Sequence, residues 1–311
     1  MKIKPLVLNN VQLDNNVFLA PMAGYTDYSY RKLQLNLGVG LTFTELVSAK
    51  GLFYGGEGTL ELLESSDKEK TAVQIFGSEP EFMKLACENP NLNGFKIVDI
   101  NMGCPVPKVY KNGEGSALLN DIKKAEQIVK ACVKTGKIIT VKIRTGLKEG
   151  DDVAKEFAIM AEESGASLIT IHGRVRESYY SGEVDYKAIE RAKNAVKIPV
   201  IANGGIFTKQ DAEELMEKTG ADGVMIARGA ISNPLLALEI LDKKSELTVK
   251  DYVIEHINLV KQRYGDTSAS ILLRKFMSYY LKGVRYSKEA KIKLNSSTST
   301  QQIIKIISEI L

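Results

Sequence analysis

Ile97-Val98-Asp99-Ile100-Asn101-Met102-Gly103-Cys104-Pro105 decides the fold: a short apolar run that turns polar at its end and then breaks on Gly and Pro. Runs of this length without polar alternation read as strands buried on both faces. Working outward, similar runs fall at 17–20, 41–44, 71–76, 138–143, 168–171, 200–202 and 223–226, so that with 97–100 there are eight. Helical patterns at 27–37, 121–135, 154–164, 186–195 and 209–219 lie between them. In the second of these, Asp121 suits an N-cap, and Ile122, Ala125, Ile128, Val129 and Cys132 share one face. Gly136, Gly165 and Gly220 follow three of the helices as C′ residues. Eight alternating strand and helix units predict an α/β chain folded as a (β/α)8 TIM barrel. An open doubly wound sheet is the alternative, but its GxGxxG after the first strand is missing.

The alternation stops near Asn233-Pro234, and beyond it only helical signals remain, at 252–264, 269–282 and 300–311. A boundary is therefore expected near 242, with a barrel over 1–242 and a small C-terminal helical bundle over 243–311. The Ser/Thr-rich stretch 294–300 reads as a loop ending in a helix cap. Charge divides at the same place. Residues 243–311 carry 13 Lys/Arg and 6 Asp/Glu, a net of +7, so the remainder is net −3 in a chain of +4. A basic tail on a slightly acidic body suits a polyanionic partner, and equally a solvated helical face.

Composition narrows the class. The 311 residues are 44% hydrophobic and 26% charged, ordinary for a globular protein. No run approaches a membrane span, and residues 1–10 lack the apolar stretch of a signal peptide, so a cytoplasmic location is expected, without membrane association. Cys87, Cys104 and Cys132 are odd in number and lack metal-ligand spacing, so neither a disulfide framework nor a metal site is expected. Cys87 and Cys132 read as small buried hydrophobes, whereas Cys104 stands among Gly and Pro.

In such barrels chemistry collects at the C-terminal ends of the strands. Taken in order, those ends carry Pro21-Met22-Ala23-Gly24, Glu45, Gln74 with Gly77, Asn101 with Gly103-Cys104-Pro105, Lys142 with Arg144, His172-Gly173-Arg174, Asn203-Gly204-Gly205, and Arg228-Gly229. Polar groups at almost every end converge on one mouth. The glycines of the last two loops, with Arg228, predict a phosphate site. Lys142, inside a strand, needs an electron-rich partner: it is a Schiff-base nucleophile, one half of an ion pair, or a donor to a reduced cofactor. His172 beside it is expected to touch a ligand, whereas His256 in the tail reads as structural. Cys104 is a nucleophile, a proton donor or an inert thiol.

The same residues resemble the tRNA-dihydrouridine synthases. The matching segments are Leu19-Ala20-Pro21-Met22-Ala23-Gly24-Tyr25-Thr26-Asp27, Gln74-Ile75-Phe76-Gly77, Asp99-Ile100-Asn101-Met102-Gly103-Cys104-Pro105, Val141-Lys142-Ile143-Arg144, His172-Gly173-Arg174, Ile201-Ala202-Asn203-Gly204-Gly205-Ile206 and, in the tail, Arg274-Lys275-Phe276. The likeness spans essentially the whole chain and looks nearest to the bacterial B-type branch. It implies FMN as cofactor and NADPH as reductant. Pro21, Met22 and Ala23 would pack beside the flavin, Gln74 and Lys142 would bond its polar edge, His172 would contact it, and Asn203, Gly204, Gly205, Ala227 and Arg228 would hold its phosphate. Ala227 stands where the family usually has Gly, and 175–180 departs from the family wording, which leaves Arg174 and Arg176 without a settled role. Hydride would pass to C6 of uracil and a proton from Cys104 to C5. The substrate would be tRNA, met by Asn101, Arg144 and Arg174 at the mouth and by Arg274 and Lys275 on the tail, with Lys282 and Arg285 as further candidates. Tyr279 and Tyr280 would stack or merely pack. A monomer is expected. The rivals are a flavin barrel acting on a free pyrimidine-like substrate, a Schiff-base lyase, and a tRNA-binding protein without catalysis.

Overall fold

A computed structural model describes residues 2–285 and 287–311, and all eight runs are strands in it. They are β1 (Val17–Leu19), β2 (Thr42–Phe43), β3 (Thr71–Phe76), β4 (Ile97–Met102), β5 (Ile138–Gly146), β6 (Leu168–Val175), β7 (Val200–Asn203) and β8 (Gly223–Ile226). The pairing runs β1-β8-β7-β6-β5-β4-β3-β2, every step parallel. The ring closes through a parallel bridge between Phe18 and Leu41, where Leu19 N–H donates to Leu41 O at 2.9 Å. That closure excludes the open sheet.

Strand residues alternate between two cores. Phe18, Phe43, Ala72, Ile97, Ile138, Leu168, Ile201 and Met225 fill the lower barrel interior together with Leu6, Leu8 and Leu13. The last three belong to an antiparallel hairpin, Leu6–Leu8 with Val11–Leu13, that packs into this inner cluster. The sequence reading did not anticipate it, because three-residue strands carry almost no periodicity. Outward-facing residues such as Val98, Ile100, Val141 and Ile171 join the apolar faces of the surrounding helices in the larger core. Asp27 and Asp121 cap their helices by accepting from Tyr30 N–H at 2.8 Å and Lys124 N–H at 3.0 Å. Gly136, Gly165 and Gly220 all take positive φ.

After Leu236–Ile240 the described chain is helical only: Val249–Tyr264, Asp266–Leu272, Arg274–Tyr280, Ser287–Ser296 and Thr300–Ile310. Two expectations need correction. The single helix at 269–282 is divided at Leu273, where Phe276 N–H reaches back only three residues to Leu273 O. Residues 294–296 end a helix that was missed, one with only Ala290 and Leu294 fully buried, so its apolar stripe is too thin to read. The cap reading holds at the end of that stretch, with Ser299 accepting from Gln302 N–H.

The tail is fastened to the barrel by aromatics. Tyr25 meets Phe276 and Tyr279 edge-on at 5.3 and 5.8 Å, and Tyr30 packs on Phe276 and His256 at 5.5 and 5.8 Å. Gln34 Nε2 donates to Tyr252 OH at 3.0 Å, and Arg263 pairs with Glu64. Burying one such ring stabilises the junction by about 2 kcal/mol, so the tail is held in a defined place beside the mouth.

Candidate active site

The C-terminal ends of the strands enclose a cavity of about 460 Å³, within the range of small-molecule sites. Its wall includes Pro21, Met22 and Ala23 after β1, Asn101 on β4 with Gly103 and Cys104 after it, and Lys142 and Arg144 on β5. It continues with His172 and Arg174 on β6, Asn203, Gly204 and Gly205 at the end of β7, and Ala227 and Arg228 after β8. Of the seventeen residues to which the resemblance gives a definite catalytic, cofactor or substrate role, fourteen meet there. The exceptions are Gln74, fully buried behind the wall, and Arg274 and Lys275 on the tail.

Among the described residues the lining has four charged side chains of one sign, Lys142, Arg144, Arg174 and Arg228, and no carboxylate. Burial, with Arg144 nearby, pushes the Lys142 ammonium down to about 8, against a smaller opposing pull from Asp99. Lys142 Nζ donates to Asn203 Oδ1 at 3.2 Å, while Asn203 Nδ2 donates to Met225 O at 2.7 Å, so the amide is fixed with its oxygen toward the lysine. Arg144 is pushed down to about 10 by burial and stays charged at neutral pH. His172 is held well below its ordinary range by burial and then by the four cations, and is neutral. Arg174 Nη1 lies 3.3 Å from His172 Nε2. A guanidinium can only donate, so Nε2 accepts and Nδ1 carries the proton.

Gly204 and Gly205 have φ of +123° and +74°. A Cβ on Gly204 would stand 3.0 Å from His172 Cδ2 and 3.3 Å from Arg174 Nη1. The β7 turn thus brings bare backbone close to the histidine and the arginine. An acid-free ring of cations beside that backbone is a site for an anion.

Cys104 sits on a braced loop. Gly103 and Cys104 N–H donate to Asn101 Oδ1 at 3.1 and 2.9 Å. Cys104 O accepts from Ser116 Oγ at 2.7 Å and Ser116 N–H at 3.1 Å, and Arg144 Nε donates to Gly103 O at 2.9 Å. Burial pushes the thiol above its ordinary value, opposed by a hydrogen bond from the Val106 backbone and by the Arg144 charge. At neutral pH it keeps its proton, which leaves little thiolate for a nucleophile and a proton that can be given.

Tyr180 escaped the sequence reading, and the packing of several named residues was not legible in it. Tyr180 lines the cavity, stacked on His172 with centroids 6.5 Å apart, and its ring faces the guanidinium of Arg228 at 4.8 Å and that of Arg144 at 5.6 Å. Its carbonyl accepts from Arg228 Nη2 at 2.9 Å, and Arg174 Nε and Nη2 donate to Gly182 O at 3.1 and 2.9 Å. Arg176 stacks on Tyr110 at 3.8 Å. These positions lie in an irregular segment with no periodicity to mark them. Tyr25 and Tyr279 also line the cavity, whereas Tyr280 is buried and bonded through its hydroxyl to His256 Nδ1 at 2.8 Å. His256, pushed down to about 3 by burial, is the structural residue it was read as. Asp99 was given no role in the sequence reading, although a lone acid in an apolar run was the signal that marks it.

On the tail, Arg274 Nη2 donates to Ser297 O at 3.1 Å, and Lys275 Nζ sits 5.5 Å from the centres of the Tyr25 and Phe276 rings. Lys275 is thus beside the mouth, while Arg274 braces the helices. Lys282, Lys288 and Lys293 are exposed. No helix among the described residues is long and apolar enough to cross a membrane, and no group of three or more metal-ligating side chains is found among them.

Comparison with solved structures gives the fold. Morphinone reductase matches with a TM-score of 0.56 at 15% identity, over 80% of this chain and 91% of that one. Histamine dehydrogenase from Rhizobium sp. 4-9 matches with a TM-score of 0.56 at 14% identity, over 82% of this chain and 50% of that one. Sequence relatives are nearer. A probable tRNA-dihydrouridine synthase of Rickettsia bellii is 36% identical over 93% of this chain and 92% of its own length. The tRNA-dihydrouridine synthase B of Vibrio cholerae is 37% identical over 88% of each chain, and that of Pasteurella multocida 34% identical over 95% of this chain and 92% of its own. The family model described as Dihydrouridine synthase (Dus) matches residues 18–309. With that match running from the first barrel strand to the last tail helix, the chain belongs to the dihydrouridine synthase family, in its B-type branch.

Proposed function

We propose that the protein reduces uridines of tRNA to 5,6-dihydrouridine, with FMN as cofactor and NADPH as reductant. One observation carries this reading: a protonated thiol stands on the wall of a cavity whose charged side chains are all cationic. The donor set fits FMN, because the Gly204-Gly205 backbone and Arg228 suit its phosphate while Lys142 and His172 supply donors deeper in the site. When bound, that cofactor supplies the two-electron reduction of the uracil C5–C6 bond.

The chain's own residues do the rest. Pro21, Met22 and Ala23 give an apolar wall and Asn203 aims the ammonium of Lys142. A cation there stabilises negative charge that develops on reduction. Cys104 gives its proton to C5. Asn101, Arg144 and Arg174 meet the substrate at the rim. A uridine inside folded RNA must leave its stack to enter, and the tail, which we treat as a separate domain from about residue 243, holds the phosphate backbone through Lys275 and the exposed lysines. The enzyme acts in the cytoplasm as a monomer.

The test is spectroscopic. Purified protein should show flavin absorbance that bleaches anaerobically with NADPH and returns when unmodified tRNA is added. Return with free uridine as fast as with tRNA would favour the small-substrate reading, and absence of flavin would refute both.

A further inference from the structure

Beneath the cavity, β3, β4 and β5 place Gln74, Asp99 and Thr140 side by side in register. All three are fully buried. Thr140 Oγ1 donates to Asp99 Oδ1 at 2.5 Å, and Gln74 Nε2 donates to Asp99 Oδ2 at 2.7 Å. Asn101 Nδ2 then donates to Gln74 Oε1 at 2.9 Å, and Asn101 Oδ1 accepts from the N–H groups of Gly103 and Cys104. We propose that Asp99 is a positioning residue for Cys104, acting through this chain of amides; the catalytic part of the claim rests on the proton-donor reading above.

An amide has a donor end and an acceptor end, and the chain Gln74–Asn101 can run either way. Burial raises Asp99 to about 6, so at neutral pH it is a carboxylate that only accepts, and it forces the Gln74 nitrogen toward itself and the oxygen toward Asn101. That choice turns the Asn101 oxygen outward, where two backbone N–H groups need an acceptor. With the chain reversed, the Asn101 nitrogen would face those N–H groups, donor against donor, and the loop carrying the thiol would lose its anchor. A buried network is fully satisfied in one sense only, and Asp99 selects the sense.

Amide hydrogen exchange on the flavin-loaded enzyme tests this, with dihydrouridine formation measured alongside. Asp99→Leu and Gln74→Met should each speed exchange at Gly103 and Cys104 by about tenfold, the change expected for one ordinary hydrogen bond, while amides of the barrel strands stay protected. Asp99→Asn should restore slow exchange, because its oxygen can accept from Gln74 while its nitrogen donates to the Thr140 hydroxyl. If Asp99→Leu does not fold, Gln74→Met carries the same test. Wild-type exchange at Gly103 and Cys104 in the folded Leu or Met variant, or faster exchange spread evenly over the barrel, overturns the proposal. So does an Asn variant as perturbed as the Leu variant, since charge rather than acceptor direction would then govern. Fast local exchange with undiminished turnover upholds the relay and removes Cys104 from the proton step instead.

Discussion

Replacing Lys142 with methionine should make the flavin-free protein more stable at neutral pH while weakening its hold on the cofactor. Lys142 is 9% exposed, its ammonium has one hydrogen bond, and burial shifts it from 10.5 down to about 8. For a base whose folded value is depressed, the unfolded chain binds the proton more tightly. The resulting destabilisation is complete below pH 8 and disappears as pH rises toward the unfolded value of 10.5. At about 1.4 kcal/mol per unit this is about 3 kcal/mol at pH 7. Losing the bond to Asn203 returns about 1 kcal/mol, so Lys142→Met should gain about 2 kcal/mol at pH 7 and almost nothing near pH 9.5. Urea denaturation of flavin-depleted wild type and variant at the two pH values measures the difference. A variant less stable than wild type at pH 7, or a difference independent of pH, would refute the reasoning. Such a residue, unfavourable to the fold and retained, is what a binding site requires.

Other outcomes are equally open to measurement. Cys104→Ala should keep flavin and its reduction by NADPH, yet lose turnover on tRNA by about 10²–10⁴-fold; wild-type turnover would end the proton-donor role. Because burial raises that thiol, the tRNA step should hold its rate through neutral pH and fall only above the ordinary cysteine range, as a pH profile of single turnover would register. Phe276→Ala removes a ring that is 2% exposed at the centre of the barrel–tail junction and should destabilise by about 3–5 kcal/mol in a thermal or urea melt. Binding of tRNA should weaken steeply with salt, and Lys275→Ala should lower the slope of log K against log salt by about 0.7–0.9. A flat salt response would remove the electrostatic role of the tail.

The barrel was legible because its eight buried strands differ in composition from everything around them, and much of the site because the polar residues Lys142, His172 and Asn203 interrupt apolar strand ends. Helices 186–195 and 209–219 were readable to the residue, each with a capping Asp185 or Thr208 before it. What stayed hidden is long-range or aperiodic. Tyr180 enters the site from an irregular loop in which Tyr179 takes φ of +49°. Lys275 and Tyr279 were named from the sequence, but their place beside the mouth was not legible, because it depends on Tyr25 and Phe276 docking the tail there. Gln74 was expected to face the cofactor, and its buried place behind Asn101 depends on side-chain directions that spacing does not encode.

The most direct test of the central claim is to quantify dihydrouridine, position by position, in tRNA from cells lacking this protein and from the same cells supplied with wild-type or Cys104→Ala protein. Loss of dihydrouridine at one or more positions, restored by the wild type and not by the variant, is the expected result. An unchanged dihydrouridine pattern in the deficient cells, together with no conversion of their tRNA by the purified enzyme and NADPH, would contradict the account.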